Sequence, residues 1–321
     1  MKTARTASTS LVRRLGIGVA ALSLALGAVA CGSDDNGGSD SASSGGPVTI
    51  VGQKFTEADI MAELYKGLLD KAGFDASIKA LGGRDLYLDP LSKGDVQVST
   101  DYLSSMTEAL NRKANGDSAP KVASPDAEAT LAELNKLTAK YGMTALQPAE
   151  AQDANAFATT KKFAEDNNLK TLSDLGALGK GIKLGGAEDC PQRPDCQKGL
   201  EGTYGVKVTG FEPTGFGTAE TKDDLVKGTT QLGVVGTTDA TLDKLGLVIL
   251  DDDKHLQNAE NLVPIVNSAW LKDHPEAEDA LNKLAAVLTT ADLTELIGRV
   301  DNDREKPADV AKDYLSQKGL T

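Results

Sequence analysis

The sequence predicts an α/β protein built from two lobes. β-branched runs that suit buried strands alternate with stretches of helical periodicity, and glycines separate the two. This alternation occurs in the first part of the chain and again after residue 160. The apolar segments 153–158 and 262–266 fit strands that cross between the two series. The predicted architecture is therefore a pair of lobes joined by two crossing segments, with a ligand cleft between them.

The first lobe is predicted to begin with a strand over 48–51, which ends at Gly52. Thr56 suits the N-cap of the next helix, because its hydroxyl can accept a hydrogen bond from an amide of the first turn. The apolar residues of this helix share one side and are Ile60, Leu64, Leu68 and Leu69. The next elements are a strand over 75–81, a short helix ending at Gly94 and a strand over 96–99. Since strands alternate with helices, we expect parallel strands with right-handed crossovers.

The strand ends of this lobe carry the first candidate site residues. In parallel sheets, ligands bind beyond the carboxyl ends of the strands. Those ends carry Lys54, Phe55 and Thr56 after the first strand, Arg84 after the second and Tyr102 after the third. Cationic, polar and aromatic side chains in these places predict a site for a small molecule.

A second helix start follows in the same lobe. Ser124 is predicted to cap it, because Pro125 at the first helical position and Asp126 in the first turn are typical of a helix start. Gly142 ends this helix, and a short strand over 143–146 precedes the first crossing segment.

The second lobe repeats the α/β alternation. Its predicted helices cover 171–178, 197–204 and 221–227, and its predicted strands cover 182–186, 207–211, 232–235 and 247–250. Residues 225–231 echo residues 91–97, because in both a helix ends at glycine and leads into a strand. After the second crossing the chain is helical, and we expect these helices to cover the first lobe. We therefore assign 48–156 plus 262–321 to lobe 1 and 157–261 to lobe 2.

The composition excludes a nucleic-acid-binding role. The chain has 321 residues, enough for two domains, and a net charge of −13. Such a surface repels nucleic acid and anionic lipid headgroups. We expect a monomer that needs no cofactor.

The first thirty residues have the pattern of a signal peptide. A basic segment precedes an apolar run over 15–30, which is shorter than the roughly 20 residues of a membrane-spanning helix. Arg13 and Arg14 raise the twin-arginine route, but Val12 before them favours the general secretory route.

Cys31 follows small residues directly, as in bacterial lipoprotein signals, and is predicted to be lipidated. A plain secreted protein with one unpaired thiol is the alternative. Residues 31–47 are rich in Gly, Ser and Asp and predict a flexible tether. The expected location is the extracytoplasmic face of a bacterial cell membrane, reached only through the lipid.

Cys190 and Cys196 are predicted to form a disulfide. In an exported chain a nearby pair favours such a bond, which would stabilise by roughly 2–2.5 kcal/mol in the chain-entropy model. A zinc site is the rival, but only His255 and His274 could add to the two cysteines, and neither has ligand spacing.

Motifs for catalysis are absent from the sequence. It has no phosphate-binding Gly-Lys-Ser/Thr loop, no Gly-x-Ser-x-Gly elbow and no paired histidines. The acidic run 251–253 invites a calcium interpretation, yet such a run after a strand is more often a solvated turn. We expect no enzyme and no metal site.

Four short motifs resemble the substrate-binding proteins of osmoprotectant (glycine betaine, carnitine, choline) ABC importers. They are Gly-Gln-Lys-Phe-Thr-Glu at 52–57, Gly-Gly-Arg at 82–84, Leu-Ser-Lys-Gly-Asp at 91–95 and Asp-Tyr at 101–102. The likeness covers most of residues 48–321. It implies a type II-like periplasmic-binding-protein fold and, as partners, a permease with its ATPase subunits.

The resemblance also implies roles for individual residues. In the family a quaternary ammonium lies over aromatic faces, held by cation–π attraction. Tyr102 and Ser105 match the family's Glu-Tyr-Thr-Gly-Thr run, and Lys54 matches its lysine after the first strand. Arg193 stands in an Arg-Pro-Asp motif, where it would clamp a ligand carboxylate. Thr237, Thr238 and Asp239 match a Ser/Thr-Thr-Asp-Gly run, and Asn155 completes the implied ligand set.

The chain departs from the family where an aromatic cage would lie. Ser99, Gly236 and Glu260 stand at positions where family members carry aromatic residues. Glu260 would suit a cation in the absence of a full cage. The aromatics that could substitute are Phe55, Tyr87, Phe157 and Phe216, and each could equally be a core or rim residue.

The leading hypothesis is a lipid-anchored substrate-binding protein that closes its lobes on a small zwitterionic or cationic solute. A betaine-like osmoprotectant is the first expectation. The same fold with another cargo, an amino acid or a polyamine, is one rival. An envelope enzyme or sensor on this scaffold is the other.

Overall fold

The computed structural model describes residues 45–321. The predicted signal peptide, Cys31 and most of the predicted tether lie outside this range. None of the helices in this range combines the length and the apolar character that a membrane span requires.

Two five-stranded sheets organise the described residues. The strands are β1 (Gly46–Gly52), β2 (Phe74–Ala80), β3 (Val98–Tyr102), β4 (Met143–Ala145), β5 (Asn155–Thr160), β6 (Gly181–Gly185), β7 (Lys207–Glu212), β8 (Leu232–Gly236), β9 (Leu247–Leu250) and β10 (Leu262–Asn267). The first sheet has the order β2-β1-β3-β10-β4, and the second has the order β7-β6-β8-β5-β9. The two-lobed α/β class that the sequence predicts is confirmed.

Both sheets are mixed, so the prediction of parallel strands is only partly right. β1 runs parallel to β2 and β3, and β6 runs parallel to β7 and β8. The strands that follow each crossing, β10 and β5, enter antiparallel to their neighbours. β5 enters the second sheet from the first lobe, and β10 enters the first sheet from the second lobe. Because each strand arrives from the other lobe, it runs opposite to its neighbours.

Helices cover the faces of both sheets. They are α1 (Thr56–Lys71), α2 (Leu88–Lys93), α3 (Leu103–Asn115), α4 (Ala127–Ala139), α5 (Lys161–Asn167), α6 (Leu172–Ala177), α7 (Gln197–Gly199), α8 (Ala219–Lys227), α9 (Ser268–Asp273), α10 (Pro275–Ala285), α11 (Thr290–Asp301) and α12 (Pro307–Gln317). In the first lobe, α1 and α10–α12 share one buried apolar cluster with β1, and α2–α4 share another. The C-terminal helices thus cover the first lobe, as the sequence predicts.

Two predicted helix caps are wrong. Thr56 is the first helical residue of α1, with Phe55 before it, and its hydroxyl donates to Asp301 Oδ1 at 2.8 Å. The helix predicted from Ser124 begins two residues later, because the Asp126 carboxylate accepts the Ala129 amide at 3.0 Å and is itself the cap. A carboxylate satisfies a helix N-terminus at least as well as a hydroxyl does.

The third strand is also displaced from its prediction. It covers Val98–Tyr102 instead of 96–99, because β10 pairs with it along its whole length, with Leu262 opposite Tyr102. Asp101 and Tyr102 therefore belong to the strand itself. The predicted helix over 197–204 divides into α7 and a π-helical turn over Leu200–Tyr204.

Residues 91–97 and 225–231, which have similar sequences, also form the same hydrogen bonds in the two lobes. Gln97 donates to Gly94 O at 2.8 Å and accepts the Thr49 amide at 2.8 Å. Gln231 donates to Gly228 O at 3.1 Å and accepts the Lys183 amide at 3.0 Å. Gly94 and Gly228 both have the left-handed conformation that favours glycine, with φ of 82° and 76°. In each lobe, the glutamine fastens the helix end to a neighbouring strand.

Candidate functional site

A cavity of about 340 Å³ opens between the two lobes. The first lobe contributes the start of α1, and the second contributes the loop after β8. Asp153 comes from the first crossing segment. Its lining includes Phe55, Thr56, Glu57, Asp153, Phe216, Lys222, Gly236, Thr238, Asp239 and Asp301.

Glu57 is a buried carboxyl at the wall of this cavity. Its side chain comes from the first turn of α1, and the residue is only 4% exposed. The Tyr102 hydroxyl donates a hydrogen bond to Glu57 Oε1. Burial and the nearby Asp153 carboxylate raise the pKa of Glu57 to about 7, against hydrogen bonds that favour its ionised form.

Asp153 is the second carboxyl of the cavity. Its Oδ1 accepts the Thr238 hydroxyl at 3.0 Å, and its amide donates to Glu260 O at 3.1 Å. The side chain thus joins the crossing segment to the loop of the second lobe. Burial raises the pKa of Asp153 from its ordinary value, and Asp239 adds to this rise.

Two exposed aromatic rings face the same space. Phe55 is 41% exposed and Phe216 is 46% exposed. The Phe55 ring stacks on Tyr102 with centroids 6.5 Å apart and planes at 18°. Of the four aromatics that could replace a cage, Tyr87 and Phe157 are core residues, at 0% and 1% exposure.

Gly236 leaves room for the groups around it. A Cβ atom at this position would lie 3.0 Å from Asp153 Oδ1 and 3.7 Å from Phe216 Cζ. At Gly236, where members of the similar family carry an aromatic residue, the neighbours are therefore a carboxylate and a phenylalanine. The cavity has fewer rings and more acid than the family pattern implies.

A second polar group lies at the end of β3. The Arg84 guanidinium donates to both Asp101 oxygens, with Nη2 at 2.6 Å from Oδ1, and the Tyr87 hydroxyl donates to Oδ2 at 2.6 Å. Next to it, Ser105 donates to Glu260 from its amide at 3.0 Å and its hydroxyl at 2.9 Å. Burial raises the pKa of Glu260 to about 7, although Ser105 and Arg84 oppose the rise.

Arg193, the candidate ligand-binding cation of the second lobe, is paired with a carboxylate of the same lobe. Arg193 donates to Asp195 through Nε at 3.1 Å and Nη2 at 2.8 Å, and it lies outside the lining of the 340 Å³ cavity. A ligand carboxylate at Arg193 would compete with the Asp195 carboxylate. Cys190 and Cys196 beside it form the disulfide that the sequence predicts.

The predicted site residues fall into three groups. Four of them line the cavity directly: Phe55, Thr56, Thr238 and Asp239. Tyr102 reaches it through Glu57, and Arg84, Ser105 and Glu260 form the neighbouring polar group. Asn155 and Thr237 instead line a separate cavity of about 700 Å³, and the Lys54 side chain is exposed.

Three charged residues of the cavity were not predicted from the sequence: Glu57, Asp153 and Lys222. Glu57 directly follows Thr56 in the quoted motif, so its place at the end of β1 was available as a signal. Asp153 and Lys222 give no such signal, because their position depends on how the two lobes meet.

The acidic run 251–253 organises a turn. Asp252 accepts the Leu256 and Gln257 amides at 2.9 and 2.8 Å, and Asp253 accepts the Ser173 amide at 3.1 Å. Across residues 45–321, no group of three or more His, Cys, Asp and Glu side chains is arranged to hold a metal ion.

The described residues thus form two α/β lobes joined by two crossing strands, with a charged and aromatic cavity between them. Residues 46–317 match the family model described as the substrate binding domain of the ABC-type glycine betaine transport system, and the chain belongs to this family. The resemblance seen in the sequence motifs is thereby confirmed.

Relatives match over most of their length. The chain is 24% identical to the glycine-betaine-binding protein of Pseudomonas aeruginosa over 280 residues, 84% of this chain and 88% of the relative. It is 25% identical to the glycine betaine-binding protein YehZ of Escherichia coli over 285 residues, 86% of this chain and 92% of the relative.

Solved structures share the fold. A glycine betaine/carnitine/choline ABC transporter structure aligns with a TM-score of 0.75 at 22% identity, covering 85% of this chain and 98% of the other. The apo YehZ structure aligns with a TM-score of 0.72 at 22% identity, covering 86% and 99%.

Proposed function

We propose that this protein binds a small solute with a quaternary ammonium group between its lobes and delivers it to an ABC permease. The observation that carries this proposal is the 340 Å³ cavity, where the exposed rings of Phe55 and Phe216 border the carboxyls of Glu57 and Asp153. Aromatic faces attract a desolvated cation, and carboxylates add a direct charge interaction. The volume lies in the range of small-molecule sites.

Closure of the lobes would sequester the solute. Thr238 and Asp239 come from the second lobe, Phe55 and Glu57 from the first, and Asp153 from the crossing between them. A rotation about the crossing segments would move the two sets together around the ligand. We retain 48–156 plus 262–321 and 157–261 as the proposed lobe limits, and we propose that the protein has no catalytic role.

Calorimetric titration with choline, carnitine, glycine betaine, proline and spermidine tests the binding proposal. We expect a quaternary ammonium compound to bind, and Phe55→Ala and Phe216→Ala each to weaken it at least about tenfold, as loss of a cation–π contact predicts. Val226→Ala is the control, because Val226 is an apolar residue of α8, 54% exposed, that does not line the cavity. Binding of spermidine or proline alone would favour the rival cargo.

Attachment to the membrane is a separate proposal. We propose that Cys31 carries the lipid and that the protein works at the extracytoplasmic face. Radiolabelled palmitate fed to expressing bacteria should enter the protein, and Cys31→Ala should abolish the label and release the protein from the membrane fraction. Equal labelling of the two forms would contradict lipidation at this residue.

A further inference from the structure

Three cations around the cleft are already paired with carboxylates. Lys222 Nζ lies 2.8 Å from Asp239 Oδ2, and both side chains are 13% exposed. Arg84 is bound by Asp101 and Arg193 by Asp195, as described above. Within residues 45–321, Glu57 and Asp153 form no ion pair with a lysine or arginine. Among the described residues that line the cavity, Glu57 and Asp153 are therefore carboxyls without a protein counter-ion, and so is the exposed Asp301.

The hydroxyl groups around this pair do not replace a counter-ion. The Tyr102 hydroxyl donates a hydrogen bond to Glu57, and the Thr238 hydroxyl donates one to Asp153 at 3.0 Å. Two neighbouring carboxylates that are both ionised repel each other, and burial strengthens that repulsion. One bound proton relieves it, and burial together with Asp153 keeps the pKa of Glu57 near 7.

The other charged groups near the cavity supply no free positive charge to its lining, and Asp301 adds one more carboxylate. Asp239 belongs to the loop after β8 and is neutralised by Lys222 of α8. Asp301 at the end of α11 lines the cavity and accepts the Thr56 hydroxyl at 2.8 Å. On α1 itself, Asp59 interacts with Lys54, the exposed cation just before the helix. An incoming positive charge is the partner that this arrangement lacks.

We propose that the solute binds as a net cation that displaces a proton shared by Glu57 and Asp153. The proton passes to the solvent, and the ammonium group takes its place between the carboxyls and the rings of Phe55 and Phe216. A zwitterion such as glycine betaine brings a carboxylate as well, and the lysine that lines the cavity, Lys222, is already paired with Asp239. This inference rests on the proposed function and specifies the charge of its ligand.

Calorimetry of the unaltered protein with choline, in buffers of different ionisation enthalpy, measures the protons released. We expect close to one proton per choline near pH 6 and almost none at pH 9, where the pair is already ionised. The affinity for choline should rise by up to about tenfold per pH unit between pH 5.5 and 7, and then level off. Glycine betaine should bind at least tenfold more weakly than choline at pH 8.

Two variants and a matched control locate the proton. Glu57→Gln and Asp153→Asn should each abolish most of the proton release and flatten the pH dependence of choline affinity. Glu63→Gln is the control, because Glu63 also lies on α1 and has a pKa raised by burial, yet it does not line the cavity. It should release protons like the unaltered protein. A role that is only structural would lower affinity without changing the proton count.

The outcomes separate the inference from the function on which it rests. Choline binding with no proton release at pH 6, or tighter binding of betaine than of choline, overturns the inference and leaves the proposed function intact. Absence of binding by every quaternary ammonium compound at every pH overturns both.

Discussion

Burial and the neighbouring Asp153 carboxylate raise the pKa of Glu57 from the ordinary 4.5 to about 7, and the residue is only 4% exposed. In the unfolded chain this carboxyl ionises at its ordinary value. The folded protein therefore prefers the protonated form, and its stability falls as pH rises from about 4.5 through 7. The full effect at pH 8 is about 3 kcal/mol for this one group.

Glu57→Gln should therefore stabilise the ligand-free protein at pH 8 and change it little at pH 4.5. The amide has the same shape and carries no charge at any pH, so it removes the cost of ionisation. Thermal unfolding of both proteins across pH 4.5–8 measures the difference, with Glu63→Gln as control. A melting temperature that differs by the same amount at both ends of the range would contradict the assignment.

Tyr102 contributes to the site through both its ring and its hydroxyl. The ring stacks on Phe55, and the hydroxyl favours the ionised form of Glu57 by donating to it. Tyr102→Phe should keep the stacking, raise the pKa of Glu57 further and shift the plateau of choline affinity to higher pH. Tyr102→Leu should also weaken binding at pH 9, where Glu57 is ionised. Calorimetric affinities from pH 6 to 9 distinguish the two effects, and identical profiles for the two variants would contradict the separate roles.

The sequence identified some of these residues and missed others for physical reasons. Phe55 follows a strand end, so local pattern was sufficient to find it, whereas Thr238 and Asp239 were found through the resemblance to a family motif. Asp153 lies close to Glu57 although nearly a hundred residues separate them, and the raised pKa of Glu57 depends on burial and on that proximity. Arg193 and Asp195 are two residues apart, yet whether an arginine is free or paired depends on side-chain geometry.

At the scale of the element, the end of β3 depends on one buried ion pair. The Asp101 side chain is 0% exposed, and Arg84 holds it from a 3₁₀ turn over Arg84–Leu86. Removing one partner from such a pair leaves a buried charge without compensation, which costs about 3–5 kcal/mol. The same arginine was predicted from the sequence to contact ligand, because a cation after a strand end suits either role.

Arg84→Met should lower the free energy of unfolding by about 3 kcal/mol or more. Lys113→Met provides the control, because the Lys113–Asp89 pair spans 2.8 Å but its side chains are 37% and 62% exposed. Such a surface pair is screened by solvent and contributes little to stability. Urea denaturation of the three proteins measures both changes. Equal destabilisation by the two substitutions would show that Asp101 does not need its arginine.

The type of an element was predictable where the same residues indicate both its secondary structure and its buried side. The stripe of Ile60, Leu64 and Leu68 predicts both the helix α1 and its buried side, and all three are buried. The reversed direction of β10 had no local signal, because direction follows from which lobe the chain leaves. The limits of β3 were misjudged for the same reason, since its pairing with β10 joins segments 160 residues apart.

At the scale of the whole molecule, the second lobe rests on the C-terminal helix α11. Asn302 Nδ2 donates to Ala240 O at 3.4 Å, and Lys244 Nζ lies 3.6 Å from Asp303 Oδ1. The loop that carries Thr238 and Asp239 is thus supported on one side by α11 and joined on the other to Asp153. The sequence predicts two lobes and a hinge, but it gives no indication that α11 meets the second lobe.

Gly298 sits where α11 comes nearest to this loop. A Cβ atom there would lie 3.4 Å from Ala240 Cβ, which is ordinary contact, so an alanine fits, and a longer side chain would extend into the space between α11 and the loop. Gly298→Ala should leave closure unchanged and stabilise α11 by about 0.5–1 kcal/mol, because alanine is the better helix former. Gly298→Leu should keep the lobes apart, because the leucine side chain would occupy the space between α11 and the loop.

Small-angle scattering with and without saturating choline, together with calorimetry, measures the effect of the two substitutions. The alanine variant should show the same ligand-induced compaction as the unaltered protein. The leucine variant should remain expanded and bind choline at least about tenfold more weakly, because closure and binding share one free energy. Circular dichroism melting first establishes that both variants are folded. If the leucine variant compacts and binds normally, then α11 does not limit closure, and the contacts of Asn302 and Lys244 are incidental to ligand capture.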